Sequence, residues 1–331
     1  MKAAVIPAIR KSWEIIEVPT PQPDFNQVLI KIRASGLCYT DIHITEGNLP
    51  EQWLPKFPCT LGHEPVGEIV AIGSAVQTRK VGDRVGVPWL QGSCGRCEWC
   101  ARGKEMFCSQ ALGTGAHLPG GHAEYMLAYE HATMLLPEKL SYEQAAPVLC
   151  AGYTVWGGLR LANPQPGERV AVLGIGGLGH LAIQYAKAAG FETYAISHTP
   201  GKQALIRELG ADGVFEDGES LHKAGGADII LACSNSYKAT AESLNGIRPD
   251  GRLVLMGFDS EPLSLGPVVQ ERRARIIGSQ QNGREYLYEA LNIAATGKVR
   301  VMVETFKFEN IGKAYAQVAS GSVRFRAVIT D

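Results

Sequence analysis

The chain of 331 residues has no apolar run of about 18 residues, so no membrane-spanning helix is expected. It has no block of like charge. Its 32 Lys and Arg stand against 33 Asp and Glu, a net charge of -1, and without a basic stripe neither a nucleic-acid nor a membrane-surface partner is expected. No internal repeat and no low-complexity segment interrupts it. The opening stretch MKAAVIPAIRKSWEIIEV lacks a long apolar core ahead of its charges. It reads as one or two strands rather than a secretion signal, and a cytoplasmic protein is the expectation. What is there is ordinary for a globular protein: 45% hydrophobic and 20% charged residues. The length suits about two domains.

Cysteine is plentiful, with residues 38, 59, 94, 97, 100, 108, 150 and 233. The even number permits disulfides, but a long chain without a visible secretion signal argues against them. Four of the eight fall within 15 residues, in CGRCEWCARGKEMFC, which suits a metal better. Cys94, Cys97, Cys100 and Cys108 give C-x2-C-x2-C-x7-C, a spacing that can supply four thiolates to tetrahedral zinc. The rival is a [4Fe–4S] cluster, whose run closes with a gap of three and a proline; here the gap is seven and Ser109 follows. With no evident room for a substrate, this site reads as structural.

Residues 1–150 read as short strands punctuated by Gly and Pro, among them QVLIKIRAS (27–35), PVGEIVAIG (65–73) and VGDRVGV (81–87). That texture predicts a β-rich, barrel-like domain. It changes near Pro164. The strand RVAVL, the turn GIGGLG, the helical LGHLAIQYAKAAG and the strand ending TYAIS follow in order, then KQALIRELG as a helix closed by Gly210 and two further buried strands, ADIILACS and GRLVLMGF. This is βαβ texture, predicting a parallel sheet with helices on both faces. After about Ile277 the pattern shifts again, to an amphipathic helix in REYLYEALNIAATGKV and a last strand in FRAVITD.

GIGGLG spans Gly174–Gly179 and fits G-x-G-x-x-G between a strand and a helix, the context that makes the pattern informative. Gly174 permits the tight turn, Gly176 lets backbone approach a pyrophosphate, and Gly179 allows close helix–strand packing. The N–H groups at Gly177, Leu178 and Gly179 open the helix toward the anion. The end of the second strand, where a carboxylate would bind a ribose 2′-hydroxyl, carries Ser197, with His198 and Lys202 nearby. Such residues accept a 2′-phosphate, which favours NADP(H) over NAD(H); the alternative is that Ser197 tolerates either.

Cys38 in GLCYTDIH, His63 and Glu64 in GHEPVG, and Cys150 in LCAGYT lie far apart. Two thiolates and an imidazole would leave zinc an open position, as catalytic sites require, but only a fold could join them. Singly, His63 reads as a buried hydrogen-bonding histidine and Cys150 as a small core residue.

Together, GLCYTDIH, GHEPVG, CGRCEWC…C, LCAGYT and GIGGLG stand in the order and spacing of the zinc-dependent medium-chain alcohol dehydrogenases, and the resemblance covers essentially the whole chain. It looks closest to bacterial alcohol dehydrogenases, with some likeness to the cinnamyl-alcohol type at the cofactor strand. The resemblance implies an α/β protein: a GroES-like β-rich catalytic domain over 1–152 and 279–331, interrupted by a Rossmann domain with a doubly wound parallel sheet over 153–278. It implies two zinc ions per chain, the catalytic one on Cys38, His63 and Cys150 with Glu64 beside it and able to exchange as a ligand. Asp41 would orient His63, Thr40 would take the alcohol proton, and His43 would pass it to solvent through the nicotinamide ribose. Thr154 would lie near the nicotinamide and Arg326 would meet the cofactor pyrophosphate.

The chain also departs from the family. Tyr39 replaces the usual His or Arg, which weakens a pyrophosphate contact there. Leu49 stands where many bacterial relatives have Trp, Trp53 follows slightly later, and Trp89 sits at a pocket aromatic. The expected pocket of Thr40, Leu49, Trp53 and Trp89 is apolar and suits medium aliphatic or aromatic alcohols and aldehydes. Sugar-alcohol dehydrogenases are a rival within the family, but their catalytic zinc usually has a carboxylate in place of Cys150. A zinc-free quinone-type reductase and a non-enzymatic NADP(H)-binding protein are the alternatives; the complete ligand set argues against both. A homodimer or homotetramer is expected from the family. Cys59, Cys233 and the histidines at 117, 122, 131, 180 and 222 carry no motif and read as packing or surface residues.

Overall fold

The computed structural model describes residues 1–199 and 201–331. The chain divides into two compact units: Met1–Cys150 with Val301–Asp331, and Ala151–Arg300. Among the described residues no helix is long and apolar enough to cross a membrane.

In the first unit the central strand Gln27–Leu37 runs antiparallel to Glu64–Ile72, Tyr125–Tyr129 and Arg326–Thr330. Arg84–Gly86 and Met134–Leu135 extend the sheet on one side and Val303–Lys307 on the other. Alternate residues of the central strand point inward, and Val28, Ile30 and Ile32 meet Ile69, Val85 and Met126 in a buried core. Period-two alternation thus generates the predicted β-rich unit. Register also positions chemistry. Gly36 stands opposite both Glu64 and Val328, which draws Cys38, His63, Glu64 and Arg326 toward one end of three adjacent strands.

In the second unit six parallel strands lie in the order Gly213–Phe215, Glu192–Ile196, Arg169–Leu173, Ala227–Ala232, Ile247–Leu255, Arg275–Gly278. Counted from Arg169–Leu173 this is 3-2-1-4-5-6, the doubly wound dinucleotide-binding order. The strands read as near-continuous apolar runs because both faces of such a sheet are covered. Val170 to Leu173 and Ile229 to Ala232 are all but fully buried.

The expected return to the first unit at residue 279 falls instead at Val301. The helix Arg284–Ala295 buries Leu287, Ala290, Leu291 and Ala294, each buried leucine contributing about 1.5–3 kcal/mol. The second unit holds it through Tyr185, whose hydroxyl donates to the Ala290 carbonyl at 2.9 Å, and Trp156, whose Nε1 donates to Glu289 at 2.6 Å. An amphipathic stripe shows that a helix has a buried face but not which unit supplies the cover.

Candidate active site

The stretch GLCYTDIH ends the central strand and begins the helix Tyr39–Glu46. Cys38 is its N-cap, and its backbone N–H donates to Asp41 Oδ2 at 2.8 Å. An Asp three residues into a helix satisfies the cap N–H in this way. Gly47 stops the helix in the left-handed conformation at φ 72°. The four residues expected to carry chemistry therefore share one short, capped helix and its cap.

Cys150 arrives from another direction. The helix Tyr142–Pro147 opens on Ser141, whose hydroxyl accepts from the Gln144 N–H, and passes into a π-helical turn at Val148–Gly152. Such turns are rare and are frequent at functional sites. Cys150 Sγ comes to 3.9 Å from Cys38 Sγ. His63 and Glu64 complete the group, and the four ligand atoms all lie within 4.8 Å of one another. Thiolates ~2.3 Å from a shared ion at tetrahedral angles lie roughly 3.8 Å apart, so the separation fits zinc.

The electrostatics fit a cation as well. The Cys150 thiol donates toward Cys38 and, against burial, this together with His63 lowers Cys38 well below the usual thiol range. Cys150 is correspondingly raised, by the same hydrogen bond and by burial. Burial would lower His63, but Asp41 and Cys38 outweigh it and raise its pKa well above the ordinary value. Asp41 Oδ1 lies 3.7 Å from His63 Nδ1, which leaves Nε2 to meet a metal. Asp41 is fully buried, which would raise it, yet His63 and His122 hold it well below the usual carboxylate range.

Glu64 is also fully buried. Burial pushes it up to about 7 against the opposing pull of Arg326. Arg326 Nη2 donates to Glu64 Oε1, and Glu64 Oε2 has no hydrogen-bond partner among the described residues. A Cβ on Gly36 would fall 1.9 Å from that oxygen, so only glycine fits opposite Glu64. The contact expected of Arg326 was with a cofactor; the contact it makes within the unit is this buried ion pair.

Thr40 Oγ1 lies 3.7 Å from Cys38 Sγ. His43 is half-buried, and burial lowers its pKa against the pull of Cys38. The exposed ring of Tyr39 meets it edge-on with centroids 4.9 Å apart. Of the expected pocket residues, Trp89 stands perpendicular to His63 at 5.3 Å and Trp53 lies 6.1 Å from Trp89. Leu49 and Trp89 both pack on the cluster of Ile6, Ile44 and Leu61.

Two histidines without a motif join this neighbourhood. His117 meets Trp53 at 6.2 Å, its Nδ1 accepting from the Gly113 N–H at 2.9 Å. His122 is buried beside Asp41. The contacts of His117 with Trp53 and of His122 with Asp41 join residues far apart in sequence, which no local spacing signals. Cys59, pushed up to about 12 by burial and by Asp41, stays a thiol, and burial likewise raises Cys233.

Cys94, Cys97, Cys100 and Cys108 form the second metal group, again with all ligand atoms within 4.8 Å. Cys97 Sγ lies 3.5 Å and Cys94 Sγ 3.9 Å from Cys100 Sγ, close to the spacing of a zinc tetrathiolate. Backbone N–H groups of Cys97 and Gln110 donate to the sulfurs of Cys94 and Cys108 at 3.3 Å.

In the second unit the GIGGLG turn follows Arg169–Leu173 at the point where strand order reverses, where such sheets bind ligands. Gly174 has φ 82°, a Cβ on Gly176 would meet nothing within 4 Å, and one on Gly179 would fall 2.0 Å from the Gly174 carbonyl oxygen. That leaves open space at Gly176 for a pyrophosphate. Gly177 and Leu178 lead directly into the helix Gly179–Ala188. Ser197 directly follows the strand Glu192–Ile196, its N–H donating to Phe215 O at 2.9 Å; His198 and Lys202, close after it in sequence, are exposed. Thr154 is buried on the helix Tyr153–Leu161.

Residues 24–138 match the family described as the alcohol dehydrogenase GroES-like domain, and residues 177–296 the zinc-binding dehydrogenase family. An alcohol dehydrogenase of Rhizobium meliloti is 40% identical over 99% of this chain and 98% of its own length. One from Geobacillus stearothermophilus is 38% identical over 99% of both. A solved cinnamyl alcohol dehydrogenase of Sorghum bicolor superimposes with a TM-score of 0.90 at 28% identity, over 99% of this chain and 97% of that one. With both cysteine groups, the dinucleotide sheet and this similarity along the whole chain, the protein belongs to the zinc-type medium-chain alcohol dehydrogenase family.

Proposed function

We propose that this chain is a zinc- and NAD(P)-dependent alcohol dehydrogenase and aldehyde reductase acting on medium aliphatic or aromatic primary or secondary alcohols, with NADP(H) favoured. The observation that carries the reading is the buried group of Cys38, His63, Glu64 and Cys150 with Asp41 behind His63. Cys38, His63 and Cys150 would hold the catalytic zinc, and Cys94, Cys97, Cys100 and Cys108 the structural one. Zinc would supply a Lewis acid that lowers the pKa of an alcohol and polarises a carbonyl, while the nicotinamide would supply the hydride chemistry.

The side chains have separate tasks. Thr40 takes the hydroxyl proton and His43, whose pKa burial lowers, passes it to solvent. Asp41 fixes the ring of His63. Glu64 balances the cluster against Arg326 and is available as an exchanging ligand. Trp89, Trp53 and Leu49 exclude water and orient an apolar substrate. Gly174, Gly176, Gly177, Leu178 and Gly179 cradle the pyrophosphate, with Thr154 beside the nicotinamide. The absence of a carboxylate at Ser197, with the imidazole of His198 and the amine of Lys202 close after it in sequence, supports a 2′-phosphate. Cytoplasmic location and a homodimer or homotetramer complete the reading.

The test is initial rates with benzyl alcohol and benzaldehyde, NADP(H) against NAD(H) at equal concentration. A strong NADP(H) preference is expected and points to aldehyde reduction. A strong NAD(H) preference would overturn the phosphate-site reading and favour alcohol oxidation. Rates falling steadily with chain length beyond ethanol would overturn the pocket reading.

A further inference from the structure

His122 is a buried histidine that the reaction does not require. Its backbone is pinned on both sides: its N–H donates to Leu61 O at 3.0 Å and its carbonyl accepts from the Ala4 N–H at 2.9 Å. The ring is wholly buried between the Trp13 ring, 5.3 Å away, and the Asp41 carboxylate, with Nε2 3.9 Å from Oδ2. Neither ring nitrogen has a hydrogen-bond partner among the described residues. Burying an imidazole unsatisfied is unfavourable, and a phenyl ring would fill the space without that penalty.

Asp41 is the group this ring can serve. Its Oδ2 accepts from the Cys38 N–H at 2.8 Å, and its Oδ1 accepts from the Gly62 N–H at 3.3 Å while facing His63 Nδ1 at 3.7 Å. The carboxylate thus lies between two imidazoles, His63 on one oxygen and His122 on the other. A carboxylate that orients a metal-bound histidine must itself be fixed, since partners in the outer shell set ligand direction and metal retention.

We propose that His122 is a positioning residue for the catalytic metal: its Nε2–H closes on Asp41 Oδ2 and holds Oδ1 aimed at His63 Nδ1. The chain at His122–Asp41–His63 is then a relay of position, not of protons. Its outer end is Trp13, whose Nε1 donates to Thr45 Oγ1 at 3.1 Å, while Thr45 Oγ1 donates to the Asp41 carbonyl at 2.8 Å. Trp13 thereby links both the ring of His122 and the backbone of Asp41.

The inference rests on Cys38, His63 and Cys150 holding zinc, so zinc content of the wild-type protein is measured first. Fewer than two zinc ions per chain there would overturn that reading itself. Zinc release to excess chelator is then compared in wild type and in His122→Phe, which keeps the contact with Trp13 but cannot donate. The expected result is one zinc released roughly 10–100-fold faster, the effect typical of outer-shell partners, with the other leaving at the wild-type rate. The visible absorption of the cobalt-substituted protein shifts in parallel. Unchanged release and an unchanged cobalt spectrum would overturn the proposal. Should His122→Phe fail to fold, His122→Gln and His122→Leu decide. The amide donor is expected to retain zinc longer than the apolar side chain; equal release from the two overturns it.

Discussion

The two metal groups of the first unit use the same element of chemistry, the cysteine thiolate, in opposite settings. Cys94, Cys97, Cys100 and Cys108 come from one loop of 15 residues, half-exposed apart from Cys108, with backbone N–H groups turned on their sulfurs. Cys38, His63, Glu64 and Cys150 come from a helix cap, a strand start and a π-helical turn, and are buried or nearly so. The loop needs only itself and a metal. The buried group needs a sheet in register, a counter-charge in Arg326 and a carboxylate behind His63. A stabilising site can be local because nothing need approach it. A reacting site must be dry and charge-balanced, so the fold has to assemble it.

Breaking the two groups separately tests that contrast. Cys38→Ser is expected to remove one zinc per chain and to lower kcat/KM by on the order of a thousandfold or more, since metal polarisation supplies several kcal/mol to such transition states. Cys97→Ser is expected to remove the other zinc, lower the unfolding temperature by roughly 5–10 °C and leave turnover per folded molecule close to wild type. Metal analysis, steady-state kinetics and thermal unfolding of both variants check this; equal loss of activity from both would erase the distinction.

A smaller effect is expected one step behind the ligands. Asp41→Asn keeps an acceptor for the Cys38 N–H but removes the charge facing His63, and should weaken retention of one zinc by about 10–100-fold. Competition with a chelator measures it, and wild-type retention would show that Asp41 serves only the helix cap.

The smallest expected effect concerns thiol reactivity after metal removal. Cys94 is drawn down to about 6 by the backbone N–H groups of Arg96 and Cys97, against burial. Cys59 is pushed up to about 12 by burial and by Asp41. At about pH 8 the first is largely thiolate and the second is thiol, so alkylation of the metal-free protein should label Cys94 early and Cys59 late. Peptide mapping over time gives the order, and early labelling of Cys59 would contradict the raised pKa of its half-buried thiol.

The same contrast governs what could be read from the sequence. The four-cysteine run and GIGGLG were legible because their function lies in spacing within one turn or loop, and the strands around them alternate or run apolar as their burial demands. The catalytic set was legible only through resemblance, since its members are joined by tertiary register. The Glu64–Arg326 pair spans 262 positions and carries no sequence signal. His117 and His122 passed as packing residues because imidazoles are assigned by neighbours, not by flanking residues. The compact unit returns at Val301 rather than 279, a difference that carries no sequence signal because the stripe of Arg284–Ala295 shows a buried face but not what covers it.

The most direct test of the account is graded zinc removal from the purified protein, with zinc per chain and benzyl alcohol oxidation followed in the same samples. The account predicts two zinc ions per chain, with activity falling in proportion to the loss of one of them and restored when that one is returned. A single zinc per chain, or full activity after both have gone, would contradict it.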